Sequence, residues 1–305
     1  MSFGRARSRR WRDWSERGIR WSLFGASFFS VFVTFAILVV LARESYLFFG
    51  FDQVSIVEFF GSTEWNPLLG GTQHFGVWPL VCGTMLVTVI AACFALPIGL
   101  TAAVYLSEYA GPKTRATLKP ALEVLAGIPT VVYGFFALTA ITPLLQSISP
   151  RFGNYNAMSA GIAIGIMILP IVCSLSEDAL RSVPRSLRDG AYALGGTKFD
   201  VSVKVVVPAA LSGIVASFLL AMSRAIGETM IVALAAGGIA QMTAEPWAEV
   251  QTMTAYMVQI FLGDAPANGV EYASSYAVAA VLFCITLGFT LVGRYILKRF
   301  REEYE

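Results

Sequence analysis

Charge is scarce in this chain: Asp, Glu, Lys and Arg make up 14% of 305 residues, against 56% hydrophobic residues. So apolar a composition excludes a water-soluble domain of this size and places the chain among integral membrane proteins. Histidine is nearly absent. With His74 alone, a histidine-rich metal or haem site is excluded, as is a Ser/His/Asp catalytic set within the apolar stretches. Cys82, Cys93, Cys173 and Cys284 all lie inside apolar stretches without CxxC spacing. They read as small buried hydrophobes and form neither a disulfide framework nor a metal site. No phosphate-binding loop of the pattern Gly, four residues, Gly-Lys-Ser/Thr occurs, so this chain is not expected to hydrolyse ATP. Internal repeats and low-complexity tracts are also missing. A net charge of +2 gives no reason to expect nucleic acid as a partner.

What the chain does have is long apolar stretches. They predict an all-α polytopic membrane protein with six spans, at about 21–42, 80–106, 120–145, 157–175, 209–239 and 275–297. A spanning helix needs roughly 20 apolar residues, so the longer stretches imply tilt, kinks or ends projecting into water. Seven arginines precede Trp21. The run from Trp21 to Ala42 is too long for a signal-peptide core and is expected to remain as the first span. Pro97, Pro129, Pro143 and Pro170 fall inside or at the edges of spans, and Gly127-Ile128-Pro129 predicts a kink or broken turn in the third. Gly161 and Gly165 form a small-xxx-small face suited to close helix packing.

Basic residues set the expected orientation. With both termini in the cytoplasm, 19 of the 22 Lys and Arg fall inside. The exceptions are Arg43 and Arg151 outside and Arg224 within a span. The expected organisation is then a basic cytoplasmic tail at 1–20, a first span at 21–42 and an external loop at 43–79. A transmembrane domain at 80–297 follows, with a cytoplasmic loop at 176–210 and a short tail at 298–305. Glu108, at the cytoplasmic end of the second span, reads as an interfacial charge. Loops 43–79 and 240–274 are external and half apolar; they are expected either to lie at the interface as an aromatic belt or to dock an external partner.

Arg224 is the residue most in need of a reason. A charge at bilayer depth costs about 2.5–3.5 kcal/mol on insertion scales. Glu228 follows four residues later, a spacing that on one helix lets the two side chains meet. An arginine fork is well shaped to hold an oxyanion. A carboxylate beside it can accept from a P–OH group and would repel fully ionised sulfate. The alternative is that the pair simply neutralises itself. Thr130, Tyr133 and Thr229 are further candidates to line a pathway, or else make ordinary interhelical hydrogen bonds.

The stretch 176–210 predicts a helix, a break at Gly195-Gly196, a second amphipathic helix, and Pro208 at the entry to the fifth span. Within it stand Asp189-Gly190-Ala191, three residues, Gly195, nine residues including Thr197, then Val205, Val206 and Val207-Pro208. This spacing resembles the coupling motif E-A-A-x3-G-x9-I-x-L-P of bacterial ABC importer permeases. Asp replaces Glu, Gly the first Ala, and Val both Ile and Leu. Ser176-Glu177-Asp178-Ala179-Leu180, Leu125 to Gly134, Ser223-Arg224-Ala225-Ile226-Gly227-Glu228-Thr229-Met230 and Gln251 to Tyr256 are similar to the phosphate-specific permeases of that family. They resemble its PstC-type subunit more than the sister subunit, from about Gly61 to Leu297.

The resemblance implies a type I ABC importer permease that binds no cofactor itself. ATP and Mg would be used by two ATP-binding subunits docked on the 189–208 loop. A homologous second permease, an external phosphate-binding protein, phosphate and the lipid bilayer complete the implied partners. Arg224 and Glu228 would then lie on the phosphate path. Other readings remain open: a permease for sulfate or molybdate, an ATP-independent anion channel or secondary transporter, or a sensory subunit that does not transport.

Overall fold

The computed structural model describes residues 3–67, 73–263, 266 and 269–300. Residues 301–305 of the expected C-terminal tail lie outside the described residues. The chain is helical apart from one antiparallel pairing of β1 (Trp65–Asn66) with β2 (His74–Phe75). It begins with α1 (Phe3–Phe48), which continues through both ends of the expected first span, and the short α2 (Ile56–Gly61). After the β pair come α3 (Trp78–Val104), α4 (Pro112–Ala126), α5 (Thr130–Phe136) and α6 (Thr142–Ile148). The long α7 (Ala157–Ser182) leads into α8 (Arg185–Ala193), α9 (Lys198–Val201) and α10 (Val207–Ala209). The last four are α11 (Leu211–Ile226), α12 (Met230–Ala235), α13 (Met253–Leu262) and α14 (Val270–Phe300). Single π-helical turns at Tyr105–Tyr109, Ala137–Ile141 and Ser202–Val206 join neighbouring helices.

Among the described residues, five helical stretches are long and apolar enough to cross a membrane: Glu16–Phe48, Trp78–Tyr109, Thr130–Ile148, Ala157–Ser182 and Val270–Tyr295. A sixth is reached only by counting Lys198–Ala209 and Leu211–Ile226 together, a pair bent by 69°. Two expected spans therefore change. The third starts at Thr130 and not near residue 120, because Gly127–Pro129 separates it from α4, a helix carrying Lys113, Arg115 and Lys119 on an otherwise mixed surface. Pro129 forces the residue before it out of the helical region and precedes the first turn of α5, so the break is an end and not a kink. The fifth stretch, 209–239, is interrupted at Ala210 and again at Gly227–Thr229.

The centre of the chain is the packing of α3 on α7, where glycines let the backbones approach. A Cβ on Gly161 would come within 2.5 Å of the Ile90 side chain, and one on Gly165 within 2.8 Å of Phe94. Gly99 is closed in the same way by Val172. Ala160, Ala163, Ile164, Ile168 and Val172 of α7 are fully buried in the resulting core, which also takes in α5, α11 and α12. By contrast α1 lies against α14 and leaves Trp21, Phe24, Phe28 and Phe32 exposed. That surface suits lipid, which exacts no penalty for exposed apolar groups.

Both loops expected to be external are partly folded into the core. Phe48, Phe59, Trp65 and Phe75 from the first loop are buried together with Leu80, Met253, Tyr256 and Ile260. Their rings meet edge to face, the Trp65 and Tyr256 centroids 4.9 Å apart, an arrangement favoured by ring quadrupoles. The aromatics thus form a core where an interfacial belt was expected. Most of the second loop is also occupied: 236–252 runs extended across the start of α7, and α13 is largely buried. The reason is backbone accounting, since the first N–H groups of a helix have no intrahelical partner. Asn156, Ala157 and Met158 donate to the carbonyls of Ala235, Ala248 and Pro246 at 3.1, 3.0 and 2.8 Å, and the Asn156 side chain accepts from the Ser159 N–H at 2.8 Å.

The extended segment also presses on α3: a Cβ on Gly83 would fall 2.4 Å from the backbone oxygen of Gln251. Gly83→Ala must therefore displace backbone, and it is expected to lower the thermal stability of the purified protein by about 1–3 kcal/mol. Gly288→Ala, where a Cβ meets nothing within 4 Å, should leave the unfolding midpoint unchanged.

Candidate functional site

Arg224 occupies the last turn of α11, three to four turns along a helix of 16 residues. At 1.5 Å per residue it stands roughly 20 Å from the Leu211 end. The guanidinium is exposed on the chain's surface, and among the described residues it forms no ion pair. The expected meeting with Glu228 does not occur. Gly227 ends α11, so four residues of separation no longer correspond to one helical turn. Glu228 falls in the break, with its own N–H donating to the Ala225 carbonyl at 3.2 Å.

Glu228 is instead used locally. It is 7% exposed, and its Oε1 accepts from the Met230 N–H at 3.2 Å and the Ile231 N–H at 3.5 Å. It therefore caps the start of α12, where a carboxylate suits both the orphan donors and the helix dipole. The Glu228 carbonyl accepts from Thr254 Oγ1 of α13 at 2.7 Å. Thr229 is half-buried, and its hydroxyl donates to the Gly227 carbonyl at 3.3 Å.

The break at 127–129 is closed similarly. Tyr133 is buried and its hydroxyl donates to the Leu125 carbonyl at 2.7 Å, so the group expected to line a pathway holds α4 to α5. Thr130 is the half-buried first residue of α5. The two breaks are brought together because α5 packs on α12: a Cβ on Gly134 would meet Leu234 at 2.8 Å and the backbone of Ile231 at 3.2 Å.

The hairpin at 183–210 forms largely as expected. Gly195 has φ +85, a left-handed conformation that ends α8 cheaply only with glycine. Thr197 caps α9 by accepting from the Asp200 N–H at 3.2 Å. The Thr197 hydroxyl and Lys204 (2.6 Å) both meet the Asp200 carboxylate, and these two contacts, Lys204 first, hold its pKa below the usual value. Asp189 and Gly190 are exposed, Ala191 is half-buried, and Leu194 is 92% exposed. Val205 and Val207 are half-buried while Val201 and Val206 are buried, and Pro208 lies in the first turn of α10 before the 69° bend.

Sequence reasoning missed the charged groups that hold this hairpin end together. Glu108, at the end of its span as expected, is also paired: its side chain is 7% exposed and meets Arg188 of α8 at 3.1 Å. Glu177 is 1% exposed and faces Lys119 at 2.8 Å, Arg115 at 3.3 Å and Arg181 at 3.7 Å. Asp178 and then Glu177 raise the Lys119 pKa. The only local signal was the four-residue spacing of Glu177 and Arg181; the other partners lie on helices that meet in space but not in sequence. Among the described residues no group of His, Cys, Asp and Glu is placed to hold a metal ion.

Apolar spanning helices around a glycine-lined pair, with a helical hairpin projecting from one end, define a membrane permease subunit. The family described as binding-protein-dependent transport system inner membrane component matches residues 95–302, and the chain belongs to that family of ABC importer permeases. The probable ABC transporter permease protein YqgH of Bacillus subtilis is 33% identical over 264 residues, 87% of this chain and 85% of that protein. The phosphate transport system permease protein PstC of Mesorhizobium japonicum is 33% identical over 261 residues, 79% and 78% of the two chains. Among solved structures, a bacterial transporter importing the polysaccharide alginate matches with a TM-score of 0.65 and 12% identity, over 95% of this chain and 100% of that one. The methionine transporter MetNI, inward facing, matches at 0.56 and 17% identity, over 74% and 95%. These last two likenesses concern the fold alone. The chain is a multi-pass protein of the inner membrane.

The capping geometry separates two uses of Glu228. A glutamine retains an acceptor oxygen, so Glu228→Gln should keep the protein folded and leave its anion preference unchanged. Glu228→Ala should cost about 0.5–2 kcal/mol, the range for a lost helix cap, read by thermal unfolding in detergent. Lost discrimination between phosphate and sulfate in the glutamine variant, with stability intact, would show that the carboxylate reads the ion.

Proposed function

We propose that this chain is one of two membrane subunits of an ATP-driven importer of inorganic phosphate. In this reading both termini and the 183–210 hairpin face the cytoplasm. Two ATP-binding subunits dock on Asp189, Gly190, Ala191, Gly195 and Thr197, and their closure is transmitted through Val205, Val207 and Pro208. A homologous permease completes the pathway, and an external phosphate-binding protein delivers the ion at the end formed by Trp65, Phe75 and α13.

The observation that carries this reading is Arg224, an exposed, unneutralised cation within a span. Left against lipid it would cost several kcal/mol; across a pathway shared with a second permease it offers a fork for an oxyanion. The break just beyond it adds open backbone at membrane depth, which is tolerated where it lines a cavity or is buried in protein. Phosphate, as opposed to another oxyanion, is supported by the PstC relatives, each about as similar as the permease of unspecified substrate.

Arg224→Gln should reduce phosphate uptake in intact cells by about ten- to a hundredfold, the worth of one charged hydrogen-bonding partner, with the protein still inserted. Undiminished uptake would remove Arg224 from the path. Competition by sulfate or molybdate at equal concentration would reassign the ion. For the hairpin, Gly195→Leu combines a strained φ with a bulky side chain at an open position. Loss of a copurifying ATPase is expected, and its retention would exclude this face as the docking surface.

A further inference from the structure

Two arginines outside the spans make the same attachment twice, in opposite directions. Arg188, on α8, donates through Nη1 to the Val183 carbonyl at 2.6 Å and through Nη2 to the Leu180 carbonyl at 2.8 Å. It thereby closes the C-terminal end of α7, and it pairs with Glu108 in the π turn that ends α3. Arg115, on α4, does the reverse. It donates to the Leu106 carbonyl at 3.1 Å through Nε and to the Ser107 carbonyl at 2.9 Å through Nη2, which closes the end of α3. Its partner is Glu177 of α7, at 3.3 Å.

The C-terminal ends of α3 and α7 lie side by side, and each is thus gripped by an arginine whose carboxylate partner lies on the other helix. A guanidinium can do this because its donors are fixed in a plane and serve several acceptors at once. The contacts are shielded, with Arg188 only 16% exposed, so they are not screened as a surface pair would be. Arg188 also immediately precedes Asp189-Gly190-Ala191 in α8, and a rigid helix turn cannot move those residues without moving it. The exit toward α11 is different: it passes through a π turn and a 69° bend.

We propose that Arg188, held by Glu108, is a positioning residue for coupling, which carries motion of the 183–210 hairpin into α3 and α7 as a unit. The glycine contacts between those helices make the pair move together, and α11 is tied to the same unit, since a Cβ on Gly213 would fall 2.4 Å from Ala179 and Ser217 meets Ser176 at 2.7 Å. This rests on the reading of the hairpin as the ATPase docking surface.

The test is made on the assembled transporter in lipid vesicles, with copurification of the ATPase, ATP hydrolysis and phosphate uptake measured together. Glu108→Gln is nearly isosteric and removes the charge; Arg188→Ala removes the whole contact. Both should retain the ATPase and its hydrolysis, while phosphate taken up per ATP falls by about tenfold, within the usual range of a coupling free energy. Lys113→Gln, an exposed charge on α4, should leave that ratio as it is. An unchanged ratio in Glu108→Gln, even with a lowered unfolding midpoint, would make the pair merely structural and overturn the proposal. Loss of the ATPase from Glu108→Gln would also overturn it, by placing the pair in docking. Failure of the unaltered chain to retain any ATPase would instead overturn the docking reading on which it rests.

Discussion

In a bilayer, backbone N–H and C=O groups have no water to turn to, so each must be satisfied within the protein. Continuous helices meet this demand on their own. This chain interrupts its helices repeatedly, and the breaks at 127–129 and 227–229 are each answered by a specific group. Tyr133 reaches back to Leu125 across the first break, and Glu228 caps the helix after the second. The start of α7 is completed by carbonyls of residues 235–248. These repairs decide where polar side chains go, and hence which of them remain free to act on a transported ion.

That division changes the meaning of the polar residues near the path. Tyr133 and Glu228 both looked available for a ligand, and both are engaged by backbone. Arg224 alone is left without a protein partner among the described charged groups at that depth. The same engagement keeps Glu228 from quenching the arginine.

Much of the architecture was legible because it depends on local composition. The apolar stretches, the hairpin break at Gly195 and the close packing at Gly161 and Gly165 each follow from residues adjacent in sequence. What could not be read depends on partners far along the chain. Gly227 inside an apolar run is compatible with a continuous membrane helix; it becomes a helix end because Glu228 and Thr254 supply replacements for the lost bonds. Residues 240–252 look like part of a loop by charge count, yet they are drawn inward, Pro246 and Ala248 serving the unsatisfied start of α7. Glu108 and Glu177 are interfacial by position, and apart from Arg181, one turn from Glu177 in α7, their arginines come from α4 and α8. For the site, Arg224 was legible as costly, but its freedom from Glu228 was not.

The two ends of the protein therefore solve different problems. Toward α13 an aromatic core from three separate segments closes the structure around extended backbone, and rigid edge-to-face rings favour a fixed arrangement. Toward the hairpin the contacts are ionic and directional, on helices interrupted by π turns, where register can shift without loss of all bonds. Between them α3 and α7 are locked by glycine contacts, while α11 is joined to the hairpin through a bend and to α12 through a break. With a break at each end, the orientation of α11 and of the cation in its final turn is set by its packing on α7, where a Cβ on Gly213 would fall 2.4 Å from Ala179 and Ser217 meets Ser176 at 2.7 Å. A continuous helix over 209–239 would have fixed Arg224 relative to both ends at once, and could expose it only by moving the whole bundle.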